Sequence, residues 1–359
     1  MILDKINRQY NRIMSRLSDE ESVNIFNSRV EYMITRDANK LSNDLYDSRK
    51  KYTCEEIDNL LENNEYEIII FGAGSYGKKT KINLERCKKY QIKAFCDNNE
   101  ELIGKSVEGL PVIDVNTVVN EKESIVIIAT IAYSKEIYAQ LIGLGVEPKR
   151  IVVPTLGYPE IQCGWQYFDL FNPNKKEVFI DAGTYDGGTI EEFYKWTGKN
   201  EGICLGMEPI LAMYNVANDR VNKLGLYNTK IYNLAAWNKN EELEMQIDEK
   251  TSGEIWGGSH VVEGGCTKVK AGTIDSIIEQ NQSGVTMIKM DVEGSELKAL
   301  EGASHSIVKF KPRLAISVYH RPDDILEIAD YILDLVEDYK LYLRHYTGDL
   351  NETVLYASV

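Results

Sequence analysis

In the first 65 residues, apolar side chains recur at loosely helical spacing between many Asp, Glu, Lys and Arg residues. Examples are Ile6, Ile13, Leu17 and Ile25, and apolar positions three or four residues apart form one face of a helix. The pattern predicts a helical arm over 1–65. Two roles stay open for it: an arm for docking or for assembly into a homo-oligomer, or a lid that covers apolar surface of its own chain.

From about residue 66 the pattern changes to short apolar runs that alternate with helical segments. The first half contains the strand-like runs EIIIF, IKAFC and SIVIIA. After a connector with Pro and Gly, LGYPEIQCGW, the alternation restarts at EVFIDAG and continues to the end. Such alternation predicts parallel sheets with crossover helices. We therefore predict a smaller Rossmann-like α/β domain over 66–155 and a second α/β domain over 170–359.

The chain ends in two apolar runs, YKLYLRHY and ETVLYASV, which the short segment TGDLN connects. A connection of this length suits a hairpin, whose two strands are antiparallel. The second domain is therefore expected to end in a reversed pair of strands.

Composition narrows the partners and the setting. The formal net charge of -15 disfavours nucleic acid and anionic lipid, because both need clustered Lys and Arg. The six cysteines include no CxxC pair, which argues against a zinc site and against a disulfide scaffold. No apolar run approaches the ~20 residues of a membrane span, and no signal peptide is apparent. We expect a cytoplasmic protein with a small-molecule or sugar acceptor, no nucleic acid and no membrane span.

The run VFIDAGTYDGG at 178–188 is an apolar strand that leads into a glycine-rich turn. At the carboxyl end of a central strand, glycines let the backbone approach a ligand closely. Acidic residues flank these glycines, so a cation fits better than a phosphate, and the sulfonium and ammonium of S-adenosylmethionine carry that charge. The cofactor-binding residues predicted in this turn are Asp181, Gly183, Thr184, Tyr185 and Asp186.

A second strand, GICLGMEP at 202–209, ends in Glu208 and Pro209. An acidic side chain at the tip of the neighbouring strand can accept both ribose hydroxyls with its two oxygens. In the next strand, KIYNLAAW, Ala236 would leave room for the adenine. These positions predict S-adenosylmethionine as the cofactor.

Polar residues crowd the segment MIKMDVEGSELKALEGA at 287–303, a strand that runs into a tight turn and a helix. The next strand, RLAISVYH, ends in His320. Because open α/β sheets bind ligands at the carboxyl ends of their strands, both strand ends should converge beside the acceptor. The predicted catalytic residues are His320, Asp291, Glu293 and Lys289, and Asp291 is also predicted to contact the cofactor.

Two ways of activating an acceptor hydroxyl stay open. His320 could act as the general base, since a neutral alcohol is a poor nucleophile. Alternatively, the carboxylates of Asp291 and Glu293 could bind Mg²⁺, although two acids do not form a full coordination set.

Five blocks of the second domain resemble the FkbM family of methyltransferases in the family's order over about 175–359. The blocks are FIDAGTYDG, MEP, IKMDVEGSELKALEGA, RLAISVYH, and LRHY followed by ETVLYA. The resemblance implies the α/β class I methyltransferase fold, a Rossmann-like seven-stranded sheet with a reversed C-terminal hairpin, and S-adenosylmethionine as cofactor. It also implies O-methylation of a sugar or related small molecule, in surface glycan or secondary metabolite biosynthesis.

The first domain contains IIIFGAGSYG at 68–77, a strand followed by G-x-G-x-x-G, with Asp97 at the end of the next strand. This arrangement fits a dinucleotide-binding unit. The domain also resembles N-terminal domains of sugar O- and N-acyltransferases, which implies a nucleotide-sugar ligand. The matched residues are Asp97, Asn98, Asn99, Gly104, Val107, Gly109 and Pro111. An empty scaffold, an NAD-dependent oxidoreductase or epimerase, and a non-enzymatic nucleotide-sugar-binding adaptor stay open as alternatives.

Overall fold

The computed structural model of the chain divides into two compact units. The larger unit comprises Met1–Ser48, Gly164–Tyr346 and Leu350–Val359, and the smaller one comprises Arg49–Cys163 and Thr347–Asp349. The predicted helical arm thus contributes its first 48 residues to the larger unit, and its residues 49–65 lie outside the described residues. The structure describes residues 2–48, 66–86, 90–130, 133–153, 166–198, 202–247, 259–262, 264–347 and 350–359.

Helices and strands are numbered in chain order. The described helices are α1 (Ile2–Met14), α2 (Glu20–Thr35), α3 (Ala38–Ser48), α4 (Ser75–Arg86), α5 (Val115–Asn120), α6 (Ser134–Gly143), α7 (Gly188–Trp196), α8 (Leu211–Leu224), α9 (Ile274–Gln280), α10 (Glu296–Glu301), α11 (Ser304–Phe310) and α12 (Asp324–Leu335). The described strands are β1 (Glu67–Phe71), β2 (Ile92–Cys96), β3 (Ser106–Val107), β4 (Leu110–Ile113), β5 (Ser124–Ile128), β6 (Ile151–Val152), β7 (Glu177–Ala182), β8 (Gly202–Met207), β9 (Thr229–Tyr232), β10 (Ala235–Ala236), β11 (Glu241–Gln246), β12 (His260–Val261), β13 (Thr267–Gly272), β14 (Met287–Met290), β15 (Arg313–Ser317), β16 (Lys340–His345) and β17 (Thr353–Ser358).

The larger unit is built on a seven-stranded sheet in the order β16-β17-β15-β14-β7-β8-β9. Strands β9, β8, β7, β14 and β15 pair in parallel, and β17 runs antiparallel to both β15 and β16. This topology confirms the predicted seven-stranded α/β sheet with a reversed C-terminal hairpin. A second sheet of this unit has the order β10-β13-β11-β12.

The central strands of the seven-stranded sheet are buried on both faces. All four residues of β14 are buried, as are the last four of β7. Strands in this position are normally continuous apolar runs, yet β7 contains Asp181 and β14 contains Lys289. Because a buried charge is costly without a partner, both side chains must be neutralised within the sheet.

The helices of residues 2–48 pack on the larger unit. Ile13, Ile25 and Phe26 belong to its main hydrophobic core. Backbone hydrogen bonds flanking Leu17 attach this segment beside Leu341 of the edge strand β16, which occupies edge groups that would otherwise be free to pair with another chain. The helices therefore cover apolar surface of their own chain, which is the arrangement that the lid alternative describes; a homo-oligomer stays a prediction.

The smaller unit has a six-stranded sheet in the order β3-β4-β2-β1-β5-β6, parallel except for the short β3. Its glycine-rich turn requires glycine, because a Cβ at Gly77 would lie 1.7 Å from the carbonyl oxygen of Gly72. The carboxylate of Asp97, at the end of β2, accepts a hydrogen bond of 2.8 Å from the Ala73 N–H. The predicted Gly-rich loop and acidic strand end therefore adjoin each other. In the described parts of both units, no helix is long and apolar enough to cross a membrane.

Truncating a core residue of the arm tests whether these helices belong to the larger unit. Ile13 is fully buried, so Ile13→Ala should lower the free energy of unfolding by about 2–5 kcal/mol. Ile34→Ala is the matched control, because Ile34 is 70% exposed and should change stability by less than about 0.5 kcal/mol. All four tryptophans lie within 164–346, so urea unfolding followed by their fluorescence reports on this unit. Equal unfolding midpoints for the two variants would contradict the packing.

Candidate active site

The polar residues predicted from the sequence lie at one edge of the seven-stranded sheet. Strands β7, β8, β14 and β15 are parallel, so their carboxyl ends and the loops that follow them meet at this edge. The loop after β7 contains Gly183, the loop after β8 contains Glu208, and the loops after β14 and β15 contain Asp291 and His320. The edge therefore assembles residues that are more than a hundred positions apart.

Gly183 is packed so closely that no other residue fits. Its φ of +83° is left-handed, and a Cβ would lie 1.8 Å from the backbone oxygen of Asp291. The N–H groups of Gly183 and Thr184 both donate to the carbonyl of Met207, over 3.0 and 3.1 Å. The loop after β7 is thereby fixed between the ends of β8 and β14.

Asp181 and Lys289 form a buried ion pair between the two central strands. They are opposite each other in the β7–β14 register, and Lys289 Nζ lies 3.1 Å from Asp181 Oδ1 and donates to the Gly183 carbonyl over 2.7 Å. Burial raises the pKa of Asp181, although Lys289 opposes the shift. Burial lowers the pKa of Lys289, but Asp181 and Asp291 outweigh this effect and raise it.

This ion pair limits the contacts that Asp181 and Lys289 can make with a cofactor or an acceptor. The side chain of Asp181 is 0% exposed and that of Lys289 is 3% exposed. The structure therefore gives Asp181 an internal cation, and it directs the ammonium of Lys289 into the protein instead of toward an acceptor. Their predicted direct contacts with cofactor and acceptor stay predictions, and they would need a rearrangement of this edge.

Glu208 lies where the loops after β7 and β8 meet. Its Oε2 accepts a hydrogen bond from the Tyr185 N–H and its Oε1 accepts one from the Ile210 N–H, both over 2.9 Å. The side-chain amide of Asn233 donates to the carbonyls of Glu208 and Pro209. Burial raises the pKa of Glu208 to about 7, although the two backbone hydrogen bonds oppose the shift. The carboxylate is thus held in one orientation with lone pairs left on both oxygens.

Three further predicted cofactor residues have defined places. Asp186 accepts a hydrogen bond from the Gly188 N–H at the start of α7 and pairs with Arg220 over 3.0 Å. Both acids that flank the glycines, Asp181 and Asp186, therefore have cationic partners within the protein. Thr184 is buried, with its hydroxyl on the Asp181 carbonyl, and Ala236 is buried in β10; their contacts with a cofactor stay predictions.

Four side chains after β14 and β15, Asp291, Glu293, Glu296 and His320, form what we call the carboxylate–imidazole cluster. His320 Nδ1 lies 3.0 Å from Glu296 Oε1. Its Nε2 lies 3.4 Å from Asp291 Oδ1 and 3.3 Å from Glu293 Oε2. The structure thus brings together the three residues that the sequence predicts beside the acceptor, and it adds Glu296 to them.

The cluster determines the charge of His320. Burial alone would lower the pKa of the imidazole, but Glu293, Glu296 and Asp291 raise it to about 11. The ring therefore holds its proton at neutral pH in the ligand-free protein. Glu293 has a left-handed φ of +53° and a pKa that burial raises.

Sequence reasoning missed three neighbours of the cluster. The Tyr167 hydroxyl donates to Asp291 Oδ2 over 3.0 Å, and the Tyr319 hydroxyl lies 3.2 Å from both Asp291 Oδ1 and Glu352 Oε1. Burial raises the pKa of Glu352 to about 7. The sequence does contain a signal for Glu352. This residue directly precedes β17, and the start of an antiparallel strand lies beside the end of its neighbouring strand.

Residues 181–341 match the family model described as the methyltransferase FkbM domain, and residues 64–152 match the model described as C2185-like, N-terminal. Among curated protein sequences, none matches the chain.

Three of the solved structures that match the chain do so at low identity. A methyltransferase FkbM from Methylobacillus flagellatus is 18% identical with a TM-score of 0.48, over 84% of this chain and 93% of its own. Fibrillarin from Aeropyrum pernix, with natively bound S-adenosyl-L-methionine, is 13% identical with a TM-score of 0.33, over 53% and 69%. A SAM dependent methyltransferase from Aquifex aeolicus is 19% identical with a TM-score of 0.30, over 51% and 84%.

A pair of glycine substitutions tests the close approach at Gly183. Gly183→Ala adds a Cβ that meets the Asp291 backbone at 1.8 Å, whereas Gly225→Ala adds one that meets only the Tyr227 ring at 3.6 Å, and both glycines have positive φ. Alanine at a left-handed position costs about 1–2 kcal/mol, and overpacking should cost Gly183→Ala about 1–3 kcal/mol more. Urea unfolding followed by tryptophan fluorescence measures the difference, and equal losses would contradict the packing.

Proposed function

We propose that this protein transfers the methyl group of S-adenosylmethionine to a hydroxyl of a sugar or related small molecule, since residues 181–341 match the family model described as the methyltransferase FkbM domain. The observation that carries the proposal is the arrangement of Gly183 and Glu208. Gly183 lets the loop after β7 pack directly on the backbone of Asp291, and Glu208 presents an oriented carboxylate at the end of the neighbouring strand.

On the cofactor side, Glu208 is the group for the ribose. Two backbone N–H groups hold its carboxylate, so a pair of vicinal hydroxyls would meet acceptors that need no reordering. The methionine part would lie along the loop that begins at Gly183, which Lys289 holds by its carbonyl. The adenine would lie toward Ala236, as the sequence predicts.

On the acceptor side lies the carboxylate–imidazole cluster. The backbone of Asp291 packs on Gly183, so the cofactor loop and the cluster share a wall. In the reaction, the bond from sulfur to the methyl carbon breaks as the bond from the acceptor oxygen to that carbon forms. The acceptor loses its proton to a carboxylate of the cluster, and S-adenosylhomocysteine leaves.

The geometry of His320 bears on the two activation routes that the sequence leaves open. A general base needs a nitrogen within hydrogen-bond reach of the hydroxyl. Here Nδ1 lies beside Glu296, and Nε2 lies beside Asp291 and Glu293. With a carboxylate oxygen within 3.4 Å of each nitrogen, the arrangement favours His320 as a residue that organises the cluster over His320 as the base.

The setting of the reaction is a further part of the proposal. We propose that the smaller unit, with its glycine-rich turn and Asp97, binds a nucleotide-linked sugar, which would place the protein in glycan or secondary metabolite biosynthesis.

The NAD-dependent and adaptor alternatives make different predictions for binding of NAD and nucleotide-sugars. NAD binding in the micromolar range would favour the first, and nucleotide-sugar binding without methyl transfer would favour the second.

Calorimetry with S-adenosylhomocysteine tests the cofactor site. Glu208→Gln should weaken binding by about 1–3 kcal/mol, the range for losing hydrogen bonds to a charged group. Glu242→Gln is the matched control, since Glu242 is 59% exposed and pairs only with Lys268 among the described residues. Its affinity should equal that of the wild type.

The same titration has a pH dependence with a defined sign. Because the pKa of Glu208 is about 7, its carboxylate is present above that pH and becomes protonated below it. Affinity for S-adenosylhomocysteine should therefore fall as the pH is lowered through about 7 in the wild type, and Glu208→Gln should abolish this dependence. Unchanged affinity in the variant would remove Glu208 from the site.

Radiolabelled methyl transfer tests the acceptor side. Wild-type protein, methyl-labelled S-adenosylmethionine and a panel of free sugars, UDP-sugars and GDP-sugars identify an acceptor. Asp291→Asn and His320→Ala should each lower its turnover by about 10²–10⁴, and His320→Ala should leave the affinity for S-adenosylhomocysteine intact. Full activity in both variants would exclude the cluster from the reaction.

A further inference from the structure

The carboxylate–imidazole cluster carries more negative charge than its surroundings balance. Three carboxylates surround one imidazole. Within the described ranges, no Lys or Arg forms an ion pair with Asp291, Glu293 or Glu296. Glu296 is 1% exposed, and among the described residues His320 is the only group paired with it that can carry a positive charge, so three carboxylates share one cation at most. The site therefore has room for another positive charge.

Several polar atoms of the cluster lack hydrogen bonds. The side chain of His320 is nine-tenths buried, yet in the described part of the chain neither ring nitrogen has a partner in hydrogen-bond geometry, and neither does Glu296 Oε2. Each nitrogen nevertheless lies 3.0–3.4 Å from a carboxylate oxygen. Metal–ligand bonds of about 2.0–2.2 Å put neighbouring ligand atoms about 3 Å apart, which is the spacing between His320 Nδ1 and Glu296 Oε1. Asp291 lies beside the other ring nitrogen, so its side chain would have to move to join the same ion.

We infer that Asp291, Glu296 and His320 bind a divalent transition-metal ion, which takes the place of the imidazole proton. One ligand atom from each of the three residues lies within 4.8 Å of the others, so small side-chain movements would close a coordination sphere. Two carboxylate oxygens and one imidazole nitrogen suit Mn²⁺, Fe²⁺, Co²⁺ or Zn²⁺ better than Mg²⁺, which prefers oxygen ligands alone. This ligand set replaces the Mg²⁺ pair of Asp291 and Glu293 predicted from the sequence.

Neighbouring contacts hold the ligands in place. The Val292 N–H donates to Glu296 Oε1 over 2.9 Å, and the hydroxyls of Tyr167 and Tyr319 donate to the two oxygens of Asp291. Hydrogen bonds to metal-binding side chains orient them and strengthen binding. The ion would lie on the acceptor side of Gly183, and there it could orient the acceptor hydroxyl and favour its deprotonation; this role, unlike binding itself, rests on the proposed function.

Binding of Mn²⁺ to the full-length, chelator-treated protein tests the inference without cofactor or acceptor. The electron paramagnetic resonance signal of free Mn²⁺ should disappear up to one ion per chain, and Mg²⁺ should compete weakly. Glu296→Gln and His320→Gln should each weaken binding at least about tenfold. Glu293→Gln is the matched control from the same loop, and it should bind within about threefold of the wild type.

Three results would overturn the inference. They are no binding by the wild type, equal binding by all variants, which would indicate adventitious ions on an acidic surface, and a loss in Glu293→Gln as large as that in Glu296→Gln. Circular dichroism and urea unfolding identify a variant that fails to fold. If Glu296→Gln does so, the comparison of His320→Gln with Glu293→Gln decides. S-adenosylhomocysteine calorimetry remains independent, so failure of the metal site leaves the proposed methyl transfer standing.

Discussion

The ion pair between Asp181 and Lys289 is the interaction on which the edge of the sheet with Gly183 and Glu208 depends. Opposite charges lie in register at the centre of a sheet that is otherwise apolar, on strands with helices and loops around them. Removing one partner would leave an uncompensated buried charge, which typically costs about 3–5 kcal/mol. Because Lys289 also holds the Gly183 carbonyl, the same pair joins strand pairing to the shape of the loop where we propose that the cofactor binds.

Contacts connect this ion pair to both the cofactor side and the acceptor side of the proposed reaction. Gly183 packs on the backbone of Asp291, and the loop that it begins donates the Tyr185 N–H to Glu208. A displacement of this loop would therefore disturb both the Glu208 carboxylate and the carboxylate–imidazole cluster. Residues with little exposed surface therefore hold the loops in position, and the polar groups at the ends of β8, β14 and β15 carry the proposed chemistry.

The sequence predicted the strands and helices well, but it predicted the partners of individual polar side chains poorly. Alternation of apolar runs predicted the sheet and its reversed hairpin, because strand order in such folds follows from parallel pairing and short connections. The convergence of Asp291, Glu293 and His320 was predicted for the same reason. The partners of Asp181, Asp186 and Glu352 could not be predicted, because Lys289, Arg220 and Tyr319 reach them only through register and packing. Helical periodicity likewise predicted the arm but not the surface that it covers.

The central claim is that the edge formed by Gly183 and Glu208 holds the methyl donor. A crystal structure of the protein with S-adenosylhomocysteine tests it most directly. The account predicts ribose hydroxyls within hydrogen-bond distance of the Glu208 carboxylate, with the sulfur directed toward the carboxylate–imidazole cluster. Density for the nucleoside at the glycine-rich turn of Gly72 and Gly77, with the Gly183 edge empty, would contradict it.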